Sequence, residues 1–221
     1  MGKKKLDQFC GLLSPRQVAD GMNAANRNAL RLVEDAESLI ERQRYPSGAA
    51  MAILSIEESG KISILRAIAL ARTQAEVKDE WSNYRRHTEK NRMWILTELA
   101  AKGARHLEDF RTLFDKESDH PFVLDQVKQI AVYTDCLGKA HWSDPYNVID
   151  EDLARNLANT ARHLISKRQF TPKEIELWVK HLRPVWKGNL NAMKAALTRW
   201  AKEMSISGMD EFVFPVLKSK N

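Results

Sequence analysis

The sequence is poor in the residues that build disulfide-bonded, turn-rich or metal-binding proteins. Its 221 residues include two cysteines, nine glycines and seven prolines. The cysteines, Cys10 and Cys136, are far apart and lack the paired spacing of a zinc site, which suits reduced thiols in a cytosol. So few glycines and prolines favour helices over a β fold with many turns. We therefore expect a cytoplasmic, mainly helical protein that holds no metal.

Long uncharged apolar runs are missing as well. The most apolar stretch, residues 49–71, still contains two glutamates, a lysine and an arginine, whereas a membrane-spanning helix needs about 20 predominantly apolar residues. The basic start of the chain, residues 1–5, is not followed by the apolar run of a signal peptide. Neither a glycine-rich phosphate loop nor a Walker lysine occurs. These absences argue against membrane contact and against a bound cofactor.

Apolar residues recur at helical spacing in almost every segment of the chain. Ser14, Asp150 and Thr171 each stand where a helix N-cap is expected, and Pro184 should kink or split the last helix. The predicted helices cover about residues 15–43, 49–71, 74–102, 121–136, 151–167 and 172–204, with a short one within 104–119 and a loop at 138–147. We predict an all-α helical bundle in which residues 1–103 form the core and additional C-terminal helices pack on it.

The apolar stretch has one polar insertion, which contains Glu57, Glu58 and Lys61. A buried charge is costly unless it is paired, and Lys61 lies three or four residues from each glutamate, within reach on a helix surface. One interpretation is an internal ion pair that holds the bundle together. The other is a polar wall of a binding pocket.

The third predicted helix carries cations and amides around one imidazole. At about 100° per residue, one face contains Asn83, His87, Lys90 and Asn91. Arg86 lies beside this face, and Arg85 points the opposite way. Cations can hold a phosphate and histidine can move a proton near neutral pH, so this face suits a phosphate ligand. A solvated charged face with an incidental histidine is the alternative, although the net charge of +6 permits contact with nucleic acid.

The other histidines and the six tryptophans are less informative. We expect each remaining histidine to be structural or solvated, and the tryptophans to lie mostly in the core.

Five stretches of this sequence, taken in order, resemble the AbiV family of abortive-infection proteins, which are bacterial defences against phage. They are Asn28–Ala36, Arg44–Ala49, Ile56–Lys61, Arg86–Lys90, and Val132–Asp135 followed by Trp142–Pro145. The resemblance extends over about residues 14–167. It implies a HEPN-like (higher eukaryotes and prokaryotes nucleotide-binding) domain there, with residues 1–13 as a tail and residues 168–221 as a C-terminal helical extension and tail.

The resemblance also implies an activity, because many HEPN domains are dimeric, metal-independent ribonucleases. Many of these carry Arg-Asn followed by a histidine four residues after the asparagine. Asn83 and His87 keep this spacing, while Ser82 stands in place of the arginine. The expected catalytic residues are then His87 as general base or acid, with Arg86 and Lys90 stabilising charge on the phosphorus. The expected substrate-binding or orienting residues are Asn83, Glu57, Glu58, Lys61 and Arg85.

Two functions follow from this resemblance. The first is a ribonuclease effector that halts translation during phage infection, with RNA as its partner and two copies of the chain forming a homodimer around one composite cleft. The second is a non-catalytic helical module that binds a phage-encoded protein or a translation component.

Overall fold

The structure, a computed structural model, describes residues 7–104, 107–113, 115 and 117–207. The described part has ten α-helices: α1 (Pro15–Glu41), α2 (Tyr45–Leu70), α3 (Gln74–Arg85), α4 (His87–Lys90), α5 (Leu96–Ala101), α6 (His120–Val132), α7 (Pro145–Val148), α8 (Glu151–Leu164), α9 (Pro172–Leu182) and α10 (Leu190–Ile206). Three 3-10 turns lie at Asn91–Met93, Leu107–Leu113 and Arg183–Val185, and one hairpin joins β1 (Asp135–Leu137) to β2 (His141–Ser143). The predicted all-α bundle is confirmed.

Helix α2 is the centre of the bundle and packs between α1 and α8. Its small residues let the neighbouring helices approach closely, and sixteen of its residues are buried. Together these helices build the largest core cluster, which includes Val33, Ala36, Ile53, Ile56, Leu157 and Ala161. The prediction that residues 1–103 form the core is therefore wrong in one respect, because α8 lies outside that range and contributes residues to the same cluster.

The helix starts follow the sequence signals. Ser14 accepts a hydrogen bond from the backbone N–H of Gln17, and the Gln17 side chain accepts one from the backbone N–H of Ser14, which completes a capping box. Asp150 and Thr171 cap α8 and α9 in the predicted places. Pro184 separates α9 from α10, also as predicted.

The two C-terminal helices are joined to the bundle by a buried ion triad. Glu174 of α9 has no exposed side-chain surface and accepts hydrogen bonds from Arg66 of α2 and from Arg168. The guanidinium of Arg66 also lies 5.2 Å from the ring of Trp178. Around these charges, α9 and α10 form an apolar cluster with Leu70 at the end of α2.

The predicted third helix, residues 74–102, is wrong as a single element. It ends at Arg85, and Arg86 has extended backbone angles, φ −86° and ψ 130°. The chain then continues as α4, a 3-10 turn and α5. Gly60 accounts for part of this break, because the carbonyl of Lys90 packs where a Cβ at Gly60 would stand. Asn83, Lys90 and Asn91 therefore do not share one helix face.

The predicted loop at 138–147 is also corrected. It contains strand β2 and the first residues of α7, and the predicted helix before it ends at Val132 rather than near residue 136. Trp142 is 76% exposed, so the expectation of core tryptophans fails there. Both cysteines are exposed and free.

None of the described helices is both long and apolar enough to cross a lipid bilayer. Residues 208–221 of the predicted tail, together with His106, lie outside the described residues.

Candidate functional site

Helices α2, α4 and α6 meet at one polar site in the bundle. The extended conformation of Arg86 sets α4 at a new direction after α3, and the glycine at position 60 lets the backbone of α4 touch α2. Glu57 lies one turn before Gly60 on α2, and His87 is the first residue of α4. The packing therefore brings His87 onto Glu57.

The buried carboxylate of Glu57 is bonded to three cationic or imidazole groups. Its Oε2 lies 2.7 Å from His87 Nδ1 and 3.3 Å from Lys90 Nζ. Its Oε1 accepts a hydrogen bond of 2.6 Å from Lys128 Nζ on α6. Lys128 also donates a 2.7 Å hydrogen bond to Asp125. One carboxylate thus joins three separate helices.

The surroundings keep both partners of the central ion pair charged. Burial opposes the ionisation of Glu57, but hydrogen bonds from Lys128 and His87 and the nearby charges of Lys128 and Lys90 outweigh it, so the pKa of Glu57 is lowered. Burial also opposes the charge of Lys128, but Asp125 and Glu57 outweigh that effect and raise the pKa of its ammonium. Glu57 is therefore a carboxylate, and Lys128 an ammonium, at neutral pH.

The bond to Glu57 orients the imidazole of His87. A carboxylate can only accept, so Nδ1 carries the hydrogen and a neutral ring has its acceptor at Nε2. The His87 side chain is 57% exposed, whereas that of Glu57 is 4% exposed. The ring is therefore held from the inside and can exchange a proton with a ligand on the outside.

Asn83 and Arg86 form a second polar group beside His87. The side chain of Arg86 donates to the amide oxygen of Asn83, and the Asn83 amide donates to Glu80 over 2.9 Å. Arg86 also pairs with Glu89 at 3.7 Å, and its side chain stays 56% exposed. Arg86 thus keeps a guanidinium on the open side, close in sequence to His87.

The remaining predicted site residues do not bond to the imidazole. Lys61 donates to Glu58 over 2.5 Å and lies 5.4 Å from the ring centroid of Tyr84. Of the two predicted pairings of Lys61, the structure thus has the one with Glu58. Arg85 donates to the backbone oxygen of Phe9, which agrees with the opposite helix face predicted for it but gives no support to its expected role as an orienting residue.

Lys90 has a different position from the predicted one. Its ammonium is directed inward onto Glu57 and its side chain is 10% exposed. The break before α4 is the reason, because it turns this segment out of line with α3. Lys90 is therefore placed to support Glu57 rather than to meet a ligand.

A comparison with known protein families agrees with the helical fold and covers the residues of this site. A family model described as AbiV matches residues 17–166, which is well over half of the chain. The chain belongs to the AbiV family. AbiV is a HEPN-like family, and membership implies a role in abortive infection, that is, in defence against phage. No curated protein and no solved structure matches this AbiV chain.

The match includes every residue of the site in this AbiV protein, and it also includes two that were not predicted. Lys128 and Asp125 lie on α6, about 70 residues after Glu57 in sequence. Their spacing in sequence is that of an ordinary surface ion pair on a helix, so nothing local marks them. Only the packing of α6 on α2 shows that Lys128 belongs to the site.

The same group contains atoms that resemble a set of metal ligands. Glu57, His87 and Asp125 each offer one ligand atom, and the three atoms lie within 4.8 Å of one another. Two carboxylates and an imidazole suit a divalent ion such as zinc. In this AbiV chain, however, Lys128 donates to both carboxylates.

Proposed function

We propose that this AbiV protein is a cytoplasmic effector of abortive infection that cleaves RNA without a metal and thereby halts translation. The observation that supports the proposal is the pairing of His87 with the buried Glu57. An imidazole fixed through Nδ1 and open at Nε2 is the arrangement needed for proton transfer to and from a substrate. Arg86, the residue before His87 in sequence, supplies a positive charge on an exposed side chain.

The chemistry requires one proton acceptor and one source of positive charge. Nε2 of His87 takes the proton of a ribose 2′-OH, and the 2′ oxygen attacks the adjacent phosphorus. The bond from phosphorus to the 5′ oxygen breaks, and the imidazolium returns a proton to that leaving oxygen. The products are a 2′,3′-cyclic phosphate and a free 5′-OH. Arg86 stabilises the charge on the phosphate oxygens during the displacement.

Cleavage of total RNA by the purified full chain in EDTA tests the proposal. His87→Ala should reduce the rate by roughly 10²- to 10⁴-fold, the usual contribution of a general acid or base. His163→Ala is the matched control, because His163 is an exposed histidine on α8 that bonds to the backbone of Asn159. Cleavage that survives His87→Ala would remove this histidine from the reaction. The absence of cleavage in the wild type would overturn the ribonuclease proposal.

One observation favours the second function, binding of a partner protein. Among the described residues, eight of the eleven exposed large hydrophobic side chains lie within residues 122–148, the segment that runs from α6 through the hairpin to α7: Phe122, Val123, Val132, Tyr133, Leu137, Trp142, Tyr146 and Val148. We call this the hairpin surface. Residues 119–150 also contain five aspartates against two lysines, although the whole chain is basic. Exposed apolar groups in a segment with an excess of negative charge suit a protein partner with a basic rim.

A phage-protection assay separates the two functions. If the hairpin surface binds a phage-encoded protein, Trp142→Ser with Tyr146→Ser should abolish protection while leaving RNA cleavage unchanged. Ile206→Ser is the control, because Ile206 is exposed to the same extent as Trp142, 76%, and lies on α10. Full protection by the double variant would contradict a role for the hairpin surface.

A further inference from the structure

The ammonium of Lys128 lies at the point where the site would otherwise present two carboxylates to each other. It is 2.6 Å from Glu57 and 2.7 Å from Asp125, and its side chain is 11% exposed. Two buried or half-buried carboxylates so close together would repel each other without a cation between them. Lys128 supplies that cation from within the chain.

The charges around this point are balanced. Glu57 and Asp125 carry two negative charges, while Lys128 and Lys90 carry two positive charges. Removing the ammonium of Lys128 alone leaves one net negative charge and three ligand atoms within 4.8 Å of one another. That combination attracts a divalent cation.

We propose that Lys128 is the built-in cation of this site, a positioning residue that occupies the place of a divalent ion and holds Glu57 against His87. Lys128 bonds to Oε1 of the Glu57 carboxylate while His87 bonds to Oε2. The bond from the lysine thus fixes the orientation of the carboxylate that accepts the hydrogen bond of the imidazole. This inference rests on the proposed function in one respect only, which is the catalytic use of His87 in that orientation. The placement itself is independent of RNA cleavage.

The inference predicts that a zinc site appears when the lysine is removed. Zn²⁺ titration calorimetry on the full chain should show one ion binding to Lys128→Ala at least about tenfold more tightly than to the wild type, a gain of about 1.4 kcal/mol. Zn²⁺ should also raise the melting temperature of Lys128→Ala. If Lys128 only filled space, its removal would change neither the zinc affinity nor the effect of zinc on the melting temperature.

Two controls identify the ligands and the charge. The double variant Lys128→Ala with Asp125→Asn should lose the gained zinc binding, because one of the three ligands is gone. Lys128→Arg keeps a cation between the carboxylates and should gain no zinc binding. If Lys128→Ala does not fold, Lys128→Gln serves instead, because it removes the charge while keeping much of the volume.

Two results would overturn the inference. The first is a folded Lys128→Ala or Lys128→Gln variant that gains no zinc binding dependent on Asp125. The second is a wild type that already binds zinc through Asp125 as tightly as the variant does. Neither result depends on RNA cleavage, so a failed ribonuclease proposal and a failed assignment of Lys128 are distinguishable.

Discussion

At the scale of single residues, Glu57 determines where the polar groups of three helices lie. Its two oxygens bond to His87, Lys90 and Lys128. Replacing it by an uncharged amide leaves two ammonium groups in a buried site without their common partner. Breaking a buried pair in this way costs about 3 to 5 kcal/mol.

The decrease in the free energy of unfolding caused by Glu57→Gln should depend on pH. The pKa of Glu57 is lowered from 4.5, so its contribution to stability is complete above that value and is lost as the pH falls through the folded-state pKa. Urea unfolding should therefore show the largest difference between wild type and Glu57→Gln near pH 7 and a shrinking difference below about pH 4.5. Glu58→Gln, one residue further on, should cost less at pH 7, because the pair of Glu58 with Lys61 is partly exposed. A difference that stays constant from pH 7 to pH 3 would contradict this account of Glu57.

Gly60 is the second residue on which the site depends. In Gly60→Ala the new methyl group overlaps the carbonyl of Lys90, so α4 must move away from α2. We expect a loss of roughly 1 to 3 kcal/mol in the free energy of unfolding, typical of overpacking. Gly21→Ala is the control, because its methyl group meets only the side chain of Leu65 at 3.4 Å, and it should raise stability by roughly 0.5 to 1 kcal/mol. Equal stability of the two variants would show that the α2 to α4 contact is not tight.

The residues of the site differ in how far the sequence reveals them. The charged insertion on an apolar helix marks Glu57, and a histidine among cations marks His87, because both patterns are local. Lys128 has no such local pattern, since its partner in sequence, Asp125, makes it look like a surface pair. Its role depends on the distance between α6 and α2, which no short stretch encodes.

At the scale of elements, α9 is attached to α2 through Glu174. The carboxylate is fully buried between Arg66 and Arg168, so Glu174→Gln removes the negative charge to which both partly buried guanidinium groups bond. We expect a loss of about 3 to 5 kcal/mol, measured by urea unfolding at pH 7. Glu176→Gln on the same helix should cost less than about 1 kcal/mol, because its pair with Lys173 is exposed. A similar cost for both variants would mean that burial of the triad adds no stability.

Helix starts were predictable and one helix break was not. A cap residue followed by proline and an acidic or amide partner is a local signal, so the starts of α1 and α9 could be predicted from Ser14 and Thr171. No glycine or proline marks the break at Arg86. The break coincides with tertiary contacts, the packing of Lys90 on Gly60 and the bond of His87 to Glu57, and these override the local preference for helix.

At the scale of the whole molecule, the C-terminal helices complete the core of the bundle. Phe170 and Ile175 belong to the same apolar cluster as Val18 and Met22 of α1. A chain that ends at residue 167 exposes this cluster, so we expect it to precipitate or to melt well below the full chain. Adding residues 168–221 as a separate fragment should restore part of the melting temperature. Equal melting of the shortened and full chains would show that residues 1–167 form an independent domain.

The homodimer stays a prediction, and the charge of the hairpin surface limits its geometry. A symmetric pair through this surface would bring exposed aspartates of the two copies, such as Asp135 and Asp144, towards each other, and like charges across an interface are unfavourable. We therefore expect light scattering to give the mass of a dimer for both the wild type and Trp142→Ser. A monomer produced by Trp142→Ser alone would place the contact on the hairpin surface instead.

The position of Glu174 has a consequence for synthesis on the ribosome. Domains generally begin to fold from the N-terminal end as they emerge. Arg66 in the central helix, however, pairs with a carboxylate that lies more than a hundred residues later in the sequence. The nascent chain therefore carries an uncompensated guanidinium until Glu174 has left the exit tunnel. Docking of α9 on α2 through this ion pair therefore follows the synthesis of residue 174, long after α1 and α2 have emerged.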